Sequence, residues 1–278
     1  MSDDGGLTAT VDGDAIAAEA FDVLHSGRQI APFSSRAPGF DLDRAYRVTA
    51  AVRRHREARG ERVVGRKIGF TNRTIWDEYS VSAPMWGYIY DRTVQDLPAA
   101  DEPVSLEELA EPRIEPEIMF ALASAPSPEM DERALLGCMA WVAHGFEIVQ
   151  SIFPRWEFAL ADTVAGYGLH GRLLIGPRHE IGDDLEAWFR DLSTFEIDLL
   201  RNGEVLDHGQ AANVLGGPLS ALRHLVAVLA DDPDNPPLAA GEIVTTGTLT
   251  RAFPVFPGES WSTRPSGVAL DGVSVRFS

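Results

Sequence analysis

Residues 113–120 read Arg113-Ile114-Glu115-Pro116-Glu117-Ile118-Met119-Phe120, and the reading of this stretch decides the fold. Residues two apart on a β-strand project from the same face. In a strand, Glu115 and Glu117 therefore point together while Ile114, Pro116 and Ile118 face the other way. Two carboxylates this close repel unless a cation or a shared proton lies between them. A bare Glu-x-Glu is commonly a solvated strand face, but three features count against that here. Both flanks are apolar, which puts the strand inside the protein. Pro116 cannot donate to a ladder, which predicts an edge or bulged position. A third carboxylate, Glu147, stands in another apolar strand-like run, Phe146-Glu147-Ile148-Val149. Hard carboxylate oxygens suit Mg²⁺, Mn²⁺ or Ca²⁺ rather than zinc.

Working outward, Val63-Val64-Gly65-Arg66-Lys67-Ile68-Gly69-Phe70 reads as a strand with Lys67 between two glycines. Such a lysine either stabilises an enolate or carboxylate, moves a proton, or snorkels to the surface. Further strands are predicted over residues 141–151, 173–175, 194–201, 204–206, 242–246 and 273–277. Asn202-Gly203 between two of them predicts a type I′ hairpin. Helices are predicted over 105–109, 132–139, 156–164 and 215–230, and two amphipathic ones over 14–29 and 42–59, with a loop over 31–39 between them. This is an α+β pattern, rich in strand, with residues 1–62 as an N-terminal helical segment and 63–278 as the main β-rich unit. There is no internal repeat.

The chain has 278 residues, 45% of them hydrophobic, enough for a sizeable core. Its net charge of −18 argues against a nucleic-acid partner. No apolar run approaches the roughly 20 residues of a membrane span, and Met1-Ser2-Asp3-Asp4 lacks the features of a signal peptide. Cys138 is the single cysteine, so no internal disulfide forms. It reads as a small buried hydrophobe in a cytoplasmic protein.

Read together and in order, several segments resemble the fumarylacetoacetate-hydrolase superfamily, in the branch of the 2-keto-4-pentenoate hydratases and 4-oxalocrotonate decarboxylases. They are Gly65-Arg66-Lys67-Ile68-Gly69-Phe70-Thr71, the 112–118 stretch, Phe146-Glu147-Ile148-Val149, Ala161-Asp162-Thr163-Val164-Ala165, Val214-Leu215-Gly216-Gly217-Pro218-Leu219, Gly241-Glu242-Ile243-Val244-Thr245-Thr246-Gly247 and Gly272-Val273-Ser274-Val275. The resemblance implies a barrel-like, β-rich catalytic fold and a homo-oligomer, which would also cover exposed strand edges. It implies Mg²⁺ or Mn²⁺ on Glu115, Glu117 and Glu147, Lys67 in the active site, and Thr248 near the substrate carboxylate unless it is an ordinary turn threonine. A 2-oxo acid offers a carboxylate oxygen and the keto oxygen to one metal ion, which stabilises an adjacent enolate.

Two departures bear on the reaction. Hydratases commonly carry an acid in a Pro-Asp-Phe-Gly-like segment, whereas this chain reads Pro84-Met85-Trp86-Gly87, which places Met85 and Trp86 at the substrate. Relatives continue Asp-Asn-Ala-Ser after the position of Ala165, where this chain has Gly166-Tyr167-Gly168-Leu169-His170. His170 is then either a proton donor or a structural residue, and His144 is a weaker candidate of the same kind. Lys67, Asp162 and His170 are the expected catalytic groups. Hydration of a 2-hydroxy-2,4-dienoate is the first expectation and decarboxylation of the 4-oxalocrotonate type the second. C–C hydrolysis ranks third, and an inactive structural or regulatory relative is the alternative of a different class.

Overall fold

The computed structural model describes residues 13–97, 102–182 and 184–278. The Met1–Asp4 start, read above for a signal peptide, lies outside the described residues. The described chain begins with two helices packed against each other, α1 (Gly13–Val23) and α2 (Leu42–Ala58). Asp41 caps α2 by accepting from the Arg44 amide at 3.0 Å. Then follow β1 (Val63–Gly69), α3 (Trp76–Tyr79), β2 (Met85–Tyr90), β3 (Val94–Asp96), β4 (Arg113–Leu122), α4 (Glu132–Leu136), β5 (Met139–Val149), α5 (Leu160–Ala165) and β6 (His170–Glu180). The remainder is α6 (Leu185–Asp191), β7 (Glu196–Arg201), β8 (Glu204–Gln210), α7 (Pro218–Ala230), β9 (Ile243–Thr245), β10 (Phe253–Pro254), β11 (Ser260–Ser266) and β12 (Ser274–Arg276).

The larger sheet runs β2-β1-β9-β4-β5-β6-β3, with β10 added to β4. It is mixed: β1/β9 and β3/β6 are parallel and the other pairs antiparallel. A second, antiparallel sheet runs β12-β11-β7-β8. The predicted Asn202-Gly203 turn joins β7 to β8 with both residues at positive φ, 52° and 86°, as a type I′ turn requires. Buried Cys138 packs its sulfur on Met130, as a small hydrophobe would.

The main core lies between the large sheet and α7, and includes Phe120, Val142, Leu222 and Leu225. A second core joins the N-terminal helices to the rest: Ile16, Ala20, Val48 and Phe33 pack with Met85, Val149 and Phe153. Phe33 meets Phe153 edge-on at 5.7 Å and is fully buried.

Three expectations change. Residues 105–109 are not helical: the amides of Val104 and Leu106 bond to Arg276 and Ser278 carbonyls, and Glu108 is left-handed at φ 71°. These backbone groups are spent on the chain's last strand instead of on a local turn. β4 is not an edge strand, for it lies between β9 and β5. Pro116 is tolerated because on one flank it falls between the β10 and β9 pairings, where only its carbonyl is used, by Leu249 at 3.0 Å. The stretch Ala211–Ala230 has the length and mean hydropathy, 1.3, that a membrane span needs. Its α-helix covers only 13 residues, however, and that helix buries its apolar face in the core.

Candidate active site

The site is written into the register of β4 and β5. Glu115 is the cross-strand partner of Glu147, and Glu117 lies opposite Gly145. Alternation therefore brings all three carboxylates to one face, and one oxygen from each lies within 4.8 Å of the others. Glu117 and Glu147 are fully buried and Glu115 is half-buried. Glu117 Oε2 accepts from the Thr245 hydroxyl and from the Gly247 amide at 2.9 Å, so β9 and the turn after it aim this side chain. Gly247 is required there: its φ is +99°, and a Cβ would lie 1.9 Å from Thr71 Oγ1.

Glu147 is held from both sides. Its Oε1 accepts from His170 Nδ1 at 2.7 Å, and its Oε2 forms an ion pair with Lys67 Nζ at 3.2 Å. Lys67 is itself buried and reaches the cluster from β1. His170 Nε2 meets the Thr93 hydroxyl at 2.8 Å. Burial holds the His170 imidazole below its ordinary pKa, so the neutral ring carries its proton on Nδ1 and donates it to Glu147.

Charge and burial compete strongly here. Burial alone would push the Lys67 ammonium down, but the Glu147, Glu115 and Glu117 carboxylates outweigh it and hold its pKa above the usual value. Burial raises Glu115 to about 7, with Lys67 opposing and Glu147 adding to the shift. Burial, then Glu147 and Glu115, push Glu117 well above the carboxylate range. For Glu147 burial is overcome by Lys67 and the His170 hydrogen bond, and its pKa lies low. Buried carboxylates with raised pKa values lack a positive charge. Glu117 Oε1 is buried with no hydrogen-bond partner, and Glu147 Oε2 has only the Lys67 ion pair. This donor set fits a divalent cation.

A narrow cleft opens onto Glu115 and Lys67. Its walls include Met85, Thr248, Tyr79, Trp156, Val149 and Leu169. Tyr167, Gly168 and Leu169 form a short left-handed run, with φ of 64°, 62° and 61°. This costs backbone energy, on the order of 1–3 kcal/mol for each non-glycine residue. It lets Gly168 touch Gly87 and the Lys67 stem while Leu169 enters the cleft and His170 reaches Glu147.

The expected residues divide accordingly. Glu115, Glu117, Glu147, Lys67 and His170 come together, and Met85 and Thr248 line the cleft, the Thr248 hydroxyl donating to the Thr250 carbonyl at 3.0 Å. Trp86 does not line it. It is the next residue along β2, faces the opposite way, and stacks on Tyr46 at 5.0 Å within the main core. Asp162 is also elsewhere: its carboxylate accepts from the Ser34 amide and hydroxyl and from the Ala159 amide, tying residues 33–35 to α5. His144 Nδ1 donates to the Glu117 carbonyl at 3.0 Å and Nε2 accepts from Thr263, leaving it no free nitrogen. Tyr79, Trp156, Thr93 and Thr245 are participants that sequence reasoning missed. Only Thr245 had a signal, its place two residues before Gly247.

The model of the fumarylacetoacetate (FAA) hydrolase C-terminal family matches residues 76–269. Among relatives, the 2-hydroxyhexa-2,4-dienoate hydratase of Comamonas testosteroni is 32% identical over 86% of this chain and 88% of its own length. The 4-oxalocrotonate decarboxylase of Pseudomonas sp. (strain CF600) is 33% identical over 86% and 87%. A solved structure, the 4-oxalocrotonate decarboxylase from Pseudomonas putida G7 complexed with magnesium and adipate, superimposes with a TM-score of 0.84 at 28% identity, covering 96% of this chain and 97% of that one. The expected α+β, barrel-like architecture is thus the fold of these proteins. The chain belongs to the fumarylacetoacetate hydrolase family.

Proposed function

We propose that the protein is a divalent-metal-dependent hydro-lyase acting on a 2-hydroxy-2,4-dienoate. The observation that carries this reading is the convergence of Glu115, Glu117 and Glu147 beside buried Lys67. Relatives over most of the chain are named as hydratases and decarboxylases, both lyases. A Mg²⁺ or Mn²⁺ ion held by the three glutamates would supply Lewis acidity toward the 2-oxygen and 1-carboxylate of the substrate. Lys67, kept protonated by the carboxylates, donates from Nζ to balance the enolate charge and passes a proton to C5 as the 2-hydroxyl loses its own. Water then adds across the conjugated alkene, hydroxyl to C4 and proton to C3. His170 fixes Glu147 through Nδ1, and Thr248 stands at the substrate end of the cleft. Met85, Val149 and Leu169 keep water from the tail.

A second reading, decarboxylation of an unsaturated 2-oxo diacid, is favoured by one feature: the buried wall at Met85 holds a thioether and no proton acceptor. The test is an ultraviolet assay of diene loss, with carbon dioxide measured in parallel, over 2-hydroxydienoates and 2-oxo-enedioates with Mg²⁺ and Mn²⁺. Hydration without carbon dioxide release supports the first reading; loss of neither substrate class overturns both.

We further propose a cytoplasmic homo-oligomer, with residues 1–62 as an N-terminal helical segment and residues 63–278 as the catalytic unit. Val205 and Leu206 are 52% and 36% exposed on β8, the outer strand of the small sheet, and an apolar edge of this kind favours a covering partner.

A further inference from the structure

Arg113 has no role in the reading above, yet it stands on the site's own strand face. Alternation along β4 places Arg113, Glu115 and Glu117 on one side, and Arg113 lies opposite Val149, a wall residue of the cleft. The Cα atoms of Arg113 and Glu115 are separated by two strand residues, roughly 7 Å. Arg113 Nη1 donates to the Tyr79 hydroxyl at 2.7 Å, and its guanidinium lies 4.3 Å from the Trp156 ring centroid. Tyr79 and Trp156 both line the metal-side cleft. Trp156 also walls a second, more open pocket that Arg113 and Phe256 line, so the two spaces adjoin at this residue.

Two further observations mark this outer end as built for an anion. Among the described residues no carboxylate forms a salt bridge with Arg113. The one acid lining the outer pocket, Glu111, accepts from the Arg155 amide at 3.2 Å, while Arg155 itself pairs with Glu157. Trp156 is held at φ 58°, a strained backbone for a tryptophan, with its Nε1 donating to the Glu111 carbonyl at 3.1 Å. This half-buried arginine, held over the rings of Tyr79 and Trp156 and by the Tyr79 hydroxyl, acts on Glu115 only through space. It has no carboxylate at ion-pair distance among the described residues, so it has donors left for a planar carboxylate.

We propose that Arg113 receives a second carboxylate of the substrate, so that the site selects dianionic 2-oxo acids over monoacids of the same length. The inference rests on the metal-dependent lyase reading, which fixes the other end of the substrate at Glu115, Glu117 and Glu147. A carboxylate held by a guanidinium is stabilised as the anion, the state that decarboxylation must give up. The second carboxylate therefore serves as a handle that orients the diacid in the cleft.

The test compares binding of 2-oxoadipate and 2-oxohexanoate to the Mg²⁺-loaded protein by calorimetry. These probes share a chain length and differ in a terminal carboxylate against a methyl group. The wild type is expected to prefer the diacid on the order of 10- to 100-fold, the range of a charge-assisted contact. Arg113→Gln erases that preference, and Arg113→Lys, which keeps charge without the fork, retains part of it. Equal affinity of the two acids for the wild type, or a preference that survives Arg113→Gln, overturns the proposal. Turnover of a 2-hydroxy-2,4-dienedioate is measured separately. A protein that prefers the diacid through Arg113 and turns over no substrate would refute the lyase reading and leave the Arg113 assignment standing.

Discussion

Glu115 and Glu147 are direct cross-strand partners on β4 and β5, and the buried Lys67 ammonium lies 3.2 Å from the second of them. Like charges placed opposite one another destabilise a sheet. The pairing persists at a cost that one ammonium offsets only in part, which makes the cluster a receptor for added positive charge.

Removing one carboxylate separates folding from function. Glu117→Gln keeps the volume and an acceptor for Thr245 and Gly247 but removes a charge that burial already disfavours. The metal-free variant should melt at or above the wild-type temperature, while Mg²⁺ affinity falls by at least about 100-fold, the upper range for perturbing a metal ligand's surroundings. Calorimetry and the ultraviolet assay check both. Wild-type turnover in this variant, or after chelation, would refute the metal site.

The pH dependence follows from Glu115, whose pKa is raised to about 7 by burial, with Lys67 opposing. A raised carboxylate pKa favours the protonated folded state, so its stabilisation is complete below the ordinary carboxylate pKa and is lost as pH rises through about 7. The metal-free protein should therefore lose melting temperature between pH 6 and pH 8. Saturating Mg²⁺ should raise the melting temperature more at pH 8, where the carboxylate is free to bind it, than at pH 6. A shift of equal size at both pH values would refute the assignment.

His170 is proposed to act through Glu147, as a positioning residue. Its Nδ1–H fixes Glu147 Oε1, and Thr93 braces the far side of the ring. Partners that orient a ligating carboxylate are worth about 10- to 100-fold in metal affinity. His170→Ala should lose that factor in Mg²⁺ affinity, and excess Mg²⁺ should restore most of kcat. A kcat that stays low at saturating metal would make His170 a direct participant.

These residues also show what the sequence could carry. β4 and β5 were legible because their carboxylates interrupt apolar runs at period two, so the strand, its face and the metal cluster follow from one pattern. β2 was not, because all six residues of Met85–Tyr90 are buried and the strand has no alternation to read. That omission is why Trp86 was expected at the substrate: without the strand, nothing says that Met85 and Trp86 face opposite ways. β11 was hidden for the opposite reason, since Ser260–Ser266 is largely polar and is held by pairing with β7 and β12. Asp162 carries a motif position but spends its oxygens on the Ser34 and Ala159 amides, a contact 128 residues away in sequence for the first. Arg113 stood in the decisive stretch itself, and only the rings of Tyr79 and Trp156, brought in from distant loops, give it a role.

The small sheet bears on assembly. Val205 and Leu206 are exposed on β8, which has no neighbouring strand beyond it among the described residues. Light scattering at micromolar concentration should give at least a dimer, and Leu206→Lys should weaken association if this edge is the interface. A monomeric wild type would overturn the proposed oligomer.

The last prediction concerns Met85, the cross-strand partner of Gly69 at the end of β1. Its Sδ and Cε fill the space a Gly69 side chain would take, and Lys67 Nζ lies on the same side. Water addition needs a group that holds or deprotonates water on the alkene side of the substrate, and a thioether takes no proton. Decarboxylation needs only an electron sink and a dry wall, which Met85, Val149 and Leu169 provide. Met85→Asp places a carboxylate on the cleft wall that Lys67 also lines. It should cost on the order of 1–3 kcal/mol in stability, as a buried polar group without full compensation does. It should also raise hydration relative to decarboxylation, read as the ratio of diene loss to carbon dioxide released. If the wild type already hydrates dienoates and releases no carbon dioxide from any oxo-enedioate, water must be handled without an acid at this position. Among the described residues that line the cleft, Lys67 would then be the only proton-carrying cation, and Lys67→Met should abolish hydration while leaving Mg²⁺ affinity within an order of magnitude of the wild type.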